Sequence, residues 1–274
     1  MTRTEGNNMA WLPAKHNRRG FMGLVGSATA GLTCSCFKPA LAQQPTELGG
    51  EILGAPKTTQ SKMLGMGADI LQGQSPISSI NMYLNGFHFY ADDMGRQIEA
   101  HHFCHHVNEE FFQCVIYDGN KTDSRLIGIE YIVSERIFKT LPDEEKALWH
   151  SHRHEATSGE LVMPGIPETV EHTAIGTLVS TYGKTWHTWQ IDRDSELPLG
   201  IPQLMMGFTQ DGQLKPAIIQ SRDRELGIST DKDRKNRADL ARSAPPVQPG
   251  ADSWQTGQSP QLALNKVPLK NKRG

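Results

Sequence analysis

The sequence predicts an α+β single domain, a mostly antiparallel sheet with a few packed helices. Three observations carry this. Short β-branched and aromatic runs follow one another at hairpin spacing, only a few segments have helical caps and periodicity, and the patterned stretch from 61 to 219 is long enough for one domain with a core.

The elements follow in order. Phe87-His88-Phe89-Tyr90 reads as a short strand. Residues 97–106 and 112–118 read as two strands joined by a turn at Asn108–Glu110, a hairpin. Residues 125–133 form the clearest strand, with Ile127, Ile129, Tyr131 and Val133 on one face. Ser134 starts a helix. Pro142 with Asp143, Glu144 and Glu145 starts another that runs to His150, since proline suits the first turn and acids suit the positive dipole end. Residues 167–182 form an amphipathic helix whose apolar stripe is Val170, Ala174, Ile175, Leu178 and Tyr182, closed by Gly183. Residues 185–192 and 203–209 are further strands. Asp211-Gly212 marks a turn, and 214–219 returns as a weak partner strand.

Outside this region the composition shifts. Residues 1–42 have the layout of a twin-arginine signal peptide: Arg18-Arg19-Gly20-Phe21 precede a weakly apolar Gly/Ala/Thr-rich stretch, and Ala40-Leu41-Ala42 offers a cleavage site. This leader predicts a periplasmic or secreted protein that meets the twin-arginine export machinery in transit, and it would remove Cys34 and Cys36. Residues 43–60 read as a linker. Residues 220–274 are rich in Lys, Arg, Asp, Ser, Pro and Gln and poor in aromatics, which predicts a disordered tail with a basic end at Lys270, Lys272 and Arg273. After cleavage no apolar run reaches the roughly 18–20 residues of a membrane span. The formal net charge of −2 becomes more negative once the basic leader is gone, which argues against nucleic acid as a partner. No Gly-rich phosphate loop and no Gly-x-Ser-x-Gly elbow is present, so nucleotide binding and serine hydrolysis are set aside.

The chemistry concentrates in the middle. Ten of the 11 histidines lie between His88 and His187, and the densest run is Glu99-Ala-His101-His102-Phe-Cys104-His105-His106. Imidazole is both a metal ligand and a proton carrier near neutral pH. If 97–106 is a strand, His102, Cys104 and His106 share one face, with Glu99, His101 and His105 opposite. If it is helical, His101 sits over His105 and His102 over His106. Either geometry suits zinc, copper or iron. His150 and His152 are placed to complete a shell, or to complement a helix C-terminus. His187 shares a strand face with Trp189 and Ile191, and Glu130 stands opposite the apolar face of its own strand as a ligand, a base or an orienting acceptor. Cys104 and Cys114 flank the hairpin turn symmetrically, as a bridge or as two buried thiols.

The segments Gly-Phe-His-Phe-Tyr at 86–90, Glu-Ala-His-His at 99–102, Gln113-Cys114-Val-Ile-Tyr-Asp118, Leu-Ile-Gly-Ile-Glu-Tyr at 126–131, Leu-Trp-His-Ser-His at 148–152, Tyr-Gly-Lys-Thr at 182–185 and Pro-Gln-Leu-Met-Met at 202–206 resemble the oil body-associated protein-like family, a domain of unknown function. The resemblance covers most of the domain and excludes the leader and the tail. It implies that His101, His102, His106, His150, His152 and His187 fall at family histidines, while His105 and His154 do not. It implies no catalytic residue, and for plant members it implies a link with lipid droplets.

Two functional expectations result. The first is an exported protein of unknown activity whose histidine-rich centre binds a transition metal (zinc, copper or iron) through His102, His106, His101, Cys104, His150, His152, His187 and Glu130. The second is a non-enzymatic lipid- or envelope-associated module whose histidines are structural, with peripheral lipid contact.

Overall fold

The computed structural model describes residues 58–63, 73 and 75–271. The signal-peptide reading of 1–42 and most of the linker reading lie outside the described residues. A helical turn α1 (Ser75–Ser78) leads into strands β1 (Met82–Tyr90), β2 (Asp93–Asn108), β3 (Phe111–Tyr117) and β4 (Leu126–Ser134). Helices α2 (Glu135–Lys139) and α3 (Asp143–Lys146) precede the two-residue strand β5 (His150–Ser151). After it come α4 (Arg153–Ser158), α5 (Glu168–Leu178), β6 (Thr181–His187) and β7 (Gln203–Met206). Three helices follow, α6 (Pro216–Leu226), α7 (Thr230–Asn236) and α8 (Ala238–Ser243), and a 3-10 turn (Ser253–Thr256) comes after them.

The sheet closes on itself. Neighbours run β4-β3-β2-β1-β7-β6, and β4 also pairs with β6, so six antiparallel strands form a barrel. The α+β expectation is thereby sharpened to a closed barrel with helices packed outside. Strand β5 sits on the same edge of β6 as β7, pairing His150 with Gly183 and Ser151 with Tyr182. Alternation sends one residue in two inward. Leu84, His88 and Tyr90 of β1 point in, as do Ala100, His102 and Cys104 of β2, Glu130 and Ile132 of β4, and Thr185 and His187 of β6.

The lumen is therefore layered. Leu84, Cys104, Phe112, Cys114, Ile132, Ile175 and Leu178 form an apolar layer at one end, sealed by α5. Tyr90, Ile98, Ala100, Ile116, Ile127, Trp189 and Met205 form another at the opposite end. Histidines and one glutamate lie between. Outside, Phe87, Phe89, Leu204, Met206, Phe208 and Leu214 pack beneath the C-terminal helices.

Several expectations are corrected. The face of β4 expected to be the core is partly reversed: Ile129 and Tyr131 are each 37% exposed, and Glu130 faces the lumen at 2%. Ile127 alone of the expected inward set joins the interior layer, because the register shift at Ile116/Tyr117 turns it in. The second helix stops at Lys146, so His150 lies on a strand rather than at a helix end. The helix from Glu168 ends at Leu178, and Tyr182 and Gly183 belong to β6. Residues 216–219 begin helix α6 instead of a strand.

The segment expected to be disordered is folded through α8. Buried Arg222 donates to the carbonyls of Gly159 and Glu160, to Asn85 Oδ1 and to Thr230 Oγ1. Buried Arg237 donates to the carbonyls of Ala156 and Leu161 and to Glu171. Docking by buried guanidinium groups needs no apolar stripe, which is why composition alone reads this stretch as solvated.

Candidate metal centre

Glu130 lies at the middle of the lumen, held there by the in-out alternation of β4. It can enter because the diagonal neighbour across the β4–β6 pairing is Gly183, the partner of Ile132: a Cβ at Gly183 would lie 2.0 Å from Glu130 Oε1 and 2.8 Å from His152 Nε2. Four imidazoles converge on its two oxygens. Oε2 lies 2.9 Å from His102 Nε2 and 3.8 Å from His88 Nε2. Oε1 lies 3.1 Å from His152 Nε2 and 3.6 Å from His150 Nε2. A fifth ring, His187, sets its Nε2 3.3 Å from His88 Nδ1. All six side chains are buried. A cavity of about 10 Å³ bounded by His88, His102, Glu130, His152 and Glu155 adjoins them, room for about one water-sized occupant.

The hydrogen-bond pattern is incomplete in an informative way. Thr181 Oγ1 donates to the Leu178 carbonyl, so it accepts from His152 Nδ1 at 2.8 Å. That fixes the proton of a neutral His152 on Nδ1 and turns the Nε2 lone pair towards the Glu130 carboxylate. Two acceptors 3.1 Å apart repel unless a cation lies between them. His102 Nδ1, both nitrogens of His150 and His187 Nδ1 have no hydrogen-bond partner, an expensive arrangement for buried groups.

Electrostatics point the same way. Burial alone would raise the Glu130 carboxyl, but the hydrogen bond from His102 and the imidazoles gathered around it hold it well below the ordinary range. Burial pushes His150 down to about 3 against the pull of Glu130, and it pushes His187 down to about 3 as well. His88 is lowered by burial and then by its neighbour His102. The centre is thus a buried anion beside imidazoles of which His88, His150 and His187 are held neutral, an environment that favours a cation. Beside it, burial and the nearby Glu160 raise Glu155 far above its usual value, keeping that acid neutral.

Of the residues proposed from sequence, His102, His150, His152, His187 and Glu130 come together here. The other three do not. His101 points outward, its Nδ1 2.7 Å from Tyr83 Oη and its Nε2 3.3 Å from Glu99. His106 is exposed and stacks on Phe112 at 4.1 Å. Cys104 is joined in a disulfide to Cys114, directly opposite it in the β2–β3 pairing, so it offers no thiolate. His88 was absent from the sequence-derived set. Its signal was alternation: on β1 it opposes Phe87 and Phe89, whose side chains pack outside. Two donor sets satisfy metal-site spacing among the described residues, His88 with His102 and Glu130, and Glu130 with His150 and His152.

A closed antiparallel barrel with a carboxylate and five histidines inside defines the class of protein. The family follows from comparison. Residues 74–241 match the family described as a protein of unknown function, DUF1264. Oil body-associated protein 1A of Zea mays is 47% identical over 219 residues, covering 80% of this chain and 91% of that one. Oil body-associated protein 1B of Arabidopsis thaliana is 44% identical over 225 residues, 82% and 92% of the two chains. Oil body-associated protein 2C of Arabidopsis thaliana is 41% identical over 203 residues, 73% and 85%. The chain belongs to this oil body-associated, DUF1264 family. The match runs through α7 into α8, beyond the limit at 219 expected from sequence. The relatives are named for oil bodies, and this overturns the expected periplasmic or secreted location. No solved structure matches the chain.

Proposed function

We propose that the protein binds a divalent transition metal inside its barrel, on Glu130 and the histidines around it. The observation that carries this reading is the His152 tautomer. A neutral ring fixed by Thr181 presents its lone pair to a carboxylate, which is how a histidine ligand held by an outer hydrogen bond is arranged before an ion binds. The spacing supports it. Donors about 2.0–2.1 Å from a tetrahedral ion lie roughly 3.3 Å apart, and the N···O separations here run from 2.9 to 3.8 Å. Imidazole with carboxylate suits zinc, copper or iron.

The test is plasma mass spectrometry on untagged protein purified without chelator. Zinc, copper or iron at one or more ions per chain is expected, and His102→Ala should lower that content while leaving the circular dichroism spectrum nearly unchanged. Folded, metal-free wild type would defeat the reading and leave the histidines as structural groups.

A second reading is peripheral lipid contact. The names of the relatives favour it, and so does the C-terminal segment. Leu262, Leu264, Val267 and Leu269 are exposed there, Lys266 and Lys270 lie among them, and the sequence after Asp252 contains no acid. Among the described residues no helix is long and apolar enough to cross a membrane, so contact of this kind would be superficial. Flotation with phospholipid-coated triolein droplets checks it. Wild type should float, a chain ending at Gln261 should stay behind, and His102→Ala should float as wild type does.

A further inference from the structure

We infer that the centre holds two metal ions at once, with Glu130 bridging them through separate oxygens. This rests on the metal-binding reading above and concerns how that site is filled. The donors divide cleanly by the oxygen they face: His88 and His102 belong to Oε2, His150 and His152 to Oε1. Within each set the three donor atoms lie within 4.8 Å of one another, and the two sets have only Glu130 in common. One ion binding all five residues would require every donor within about twice the 2.0–2.2 Å bond length of every other. The side chains do not gather that way. They form two groups of two imidazoles and one carboxylate oxygen, each with room in its coordination sphere for exogenous ligands.

The surroundings repeat the division. In each half one ring is oriented through Nδ1 by a residue outside the donor set: Thr181 for His152, His187 for His88. In each half the second ring, His102 or His150, leaves Nδ1 without a partner. Ring centroids are 5.0 Å apart within each pair, and 5.7 Å between His88 and His150 across the pairs. Each ion would lie between donors already near ligand spacing, so neither requires a separate cavity. A bridging carboxylate also gives the buried anion a cation on both lobes, offsetting the cost of its desolvation more fully than one ion on one side.

The experiment uses the full chain, stripped with chelator and reloaded with Cu²⁺. Metal is counted by plasma mass spectrometry and the product examined by electron paramagnetic resonance. Two ions per chain are expected, with a half-field transition from a coupled pair. His102→Ala and His150→Ala should each lower the count to one and restore an uncoupled mononuclear signal. A wild-type count of one, lost entirely in either variant, would overturn the bridge while leaving the metal centre standing. A count of zero would remove the metal reading itself. Should either variant fail to fold, the wild-type count and the half-field signal still decide, since two ions without coupling would also refute a shared carboxylate.

Discussion

At the scale of single residues, the centre depends on side chains that touch no proposed ion. Thr181 is the clearest case, because its hydroxyl spends its own hydrogen on Leu178 and so dictates the His152 tautomer. Thr181→Val removes that acceptor at nearly constant volume. Loss of such an outer contact typically weakens metal binding about 10–100-fold. A chelator-competition titration should find that loss with the far-ultraviolet spectrum unchanged. Unaltered affinity would mean that His152 is not a ligand. His102, His150, His152, His187 and Glu130 were legible as candidates from chemistry and position alone. His88 was not, because a histidine flanked by phenylalanines reads as part of an apolar strand until the strand's outward face is known.

At the scale of elements, strands with strict alternation were readable and their inward faces were not. The β2–β3 hairpin falls where the sequence places it, and Ser134 caps α2 by accepting from the Ile137 amide. On β4 the more apolar set includes Ile129 and Tyr131, yet the barrel turns Glu130 inward, since a lumen with a polar middle reverses the usual meaning of an apolar face. Helices α6 and α7 were missed for a related reason: their anchors are arginines. Arg222 gives four hydrogen bonds to groups outside its own helix and lies over the Phe87 ring at 4.9 Å. Arg222→Met keeps the volume and leaves those acceptors unpaired, which should cost about 3–5 kcal/mol. A urea titration should show the lower midpoint. An unchanged midpoint would mean that the C-terminal helices add nothing to the barrel's stability.

For the whole molecule, burying neutral imidazoles ties stability to pH. His150 and His187 are each held down to about 3 in the folded chain, whereas unfolded histidine titrates near about 6.5. Their contribution is therefore complete above about pH 6.5. It is lost as pH falls towards 3, because the unfolded chain takes up protons that the folded one refuses. The slope is about 1.4 kcal/mol per pH unit for each histidine in that window. Denaturant midpoints of metal-free protein should fall steeply between pH 6.5 and 4.5 and hold nearly level between 7 and 8. A flat profile through the acid range would show that these rings are not held neutral.

The sequence by itself determined the local matters: strand alternation, hairpin and cap positions, the crowding of histidines between 88 and 187, and the family. These depend on neighbours a few residues apart. The tertiary structure alone decided that the sheet closes, that four imidazoles meet one carboxylate with a fifth behind them, and that arginines carry the C-terminal helices onto the barrel. Closure depends on the pairing of β4 with β6 and of β1 with β7, and the latter brings Phe89 beside Met206. Contacts between residues so far apart in sequence leave no periodic trace in it. They become visible only when the strands that carry them are assembled.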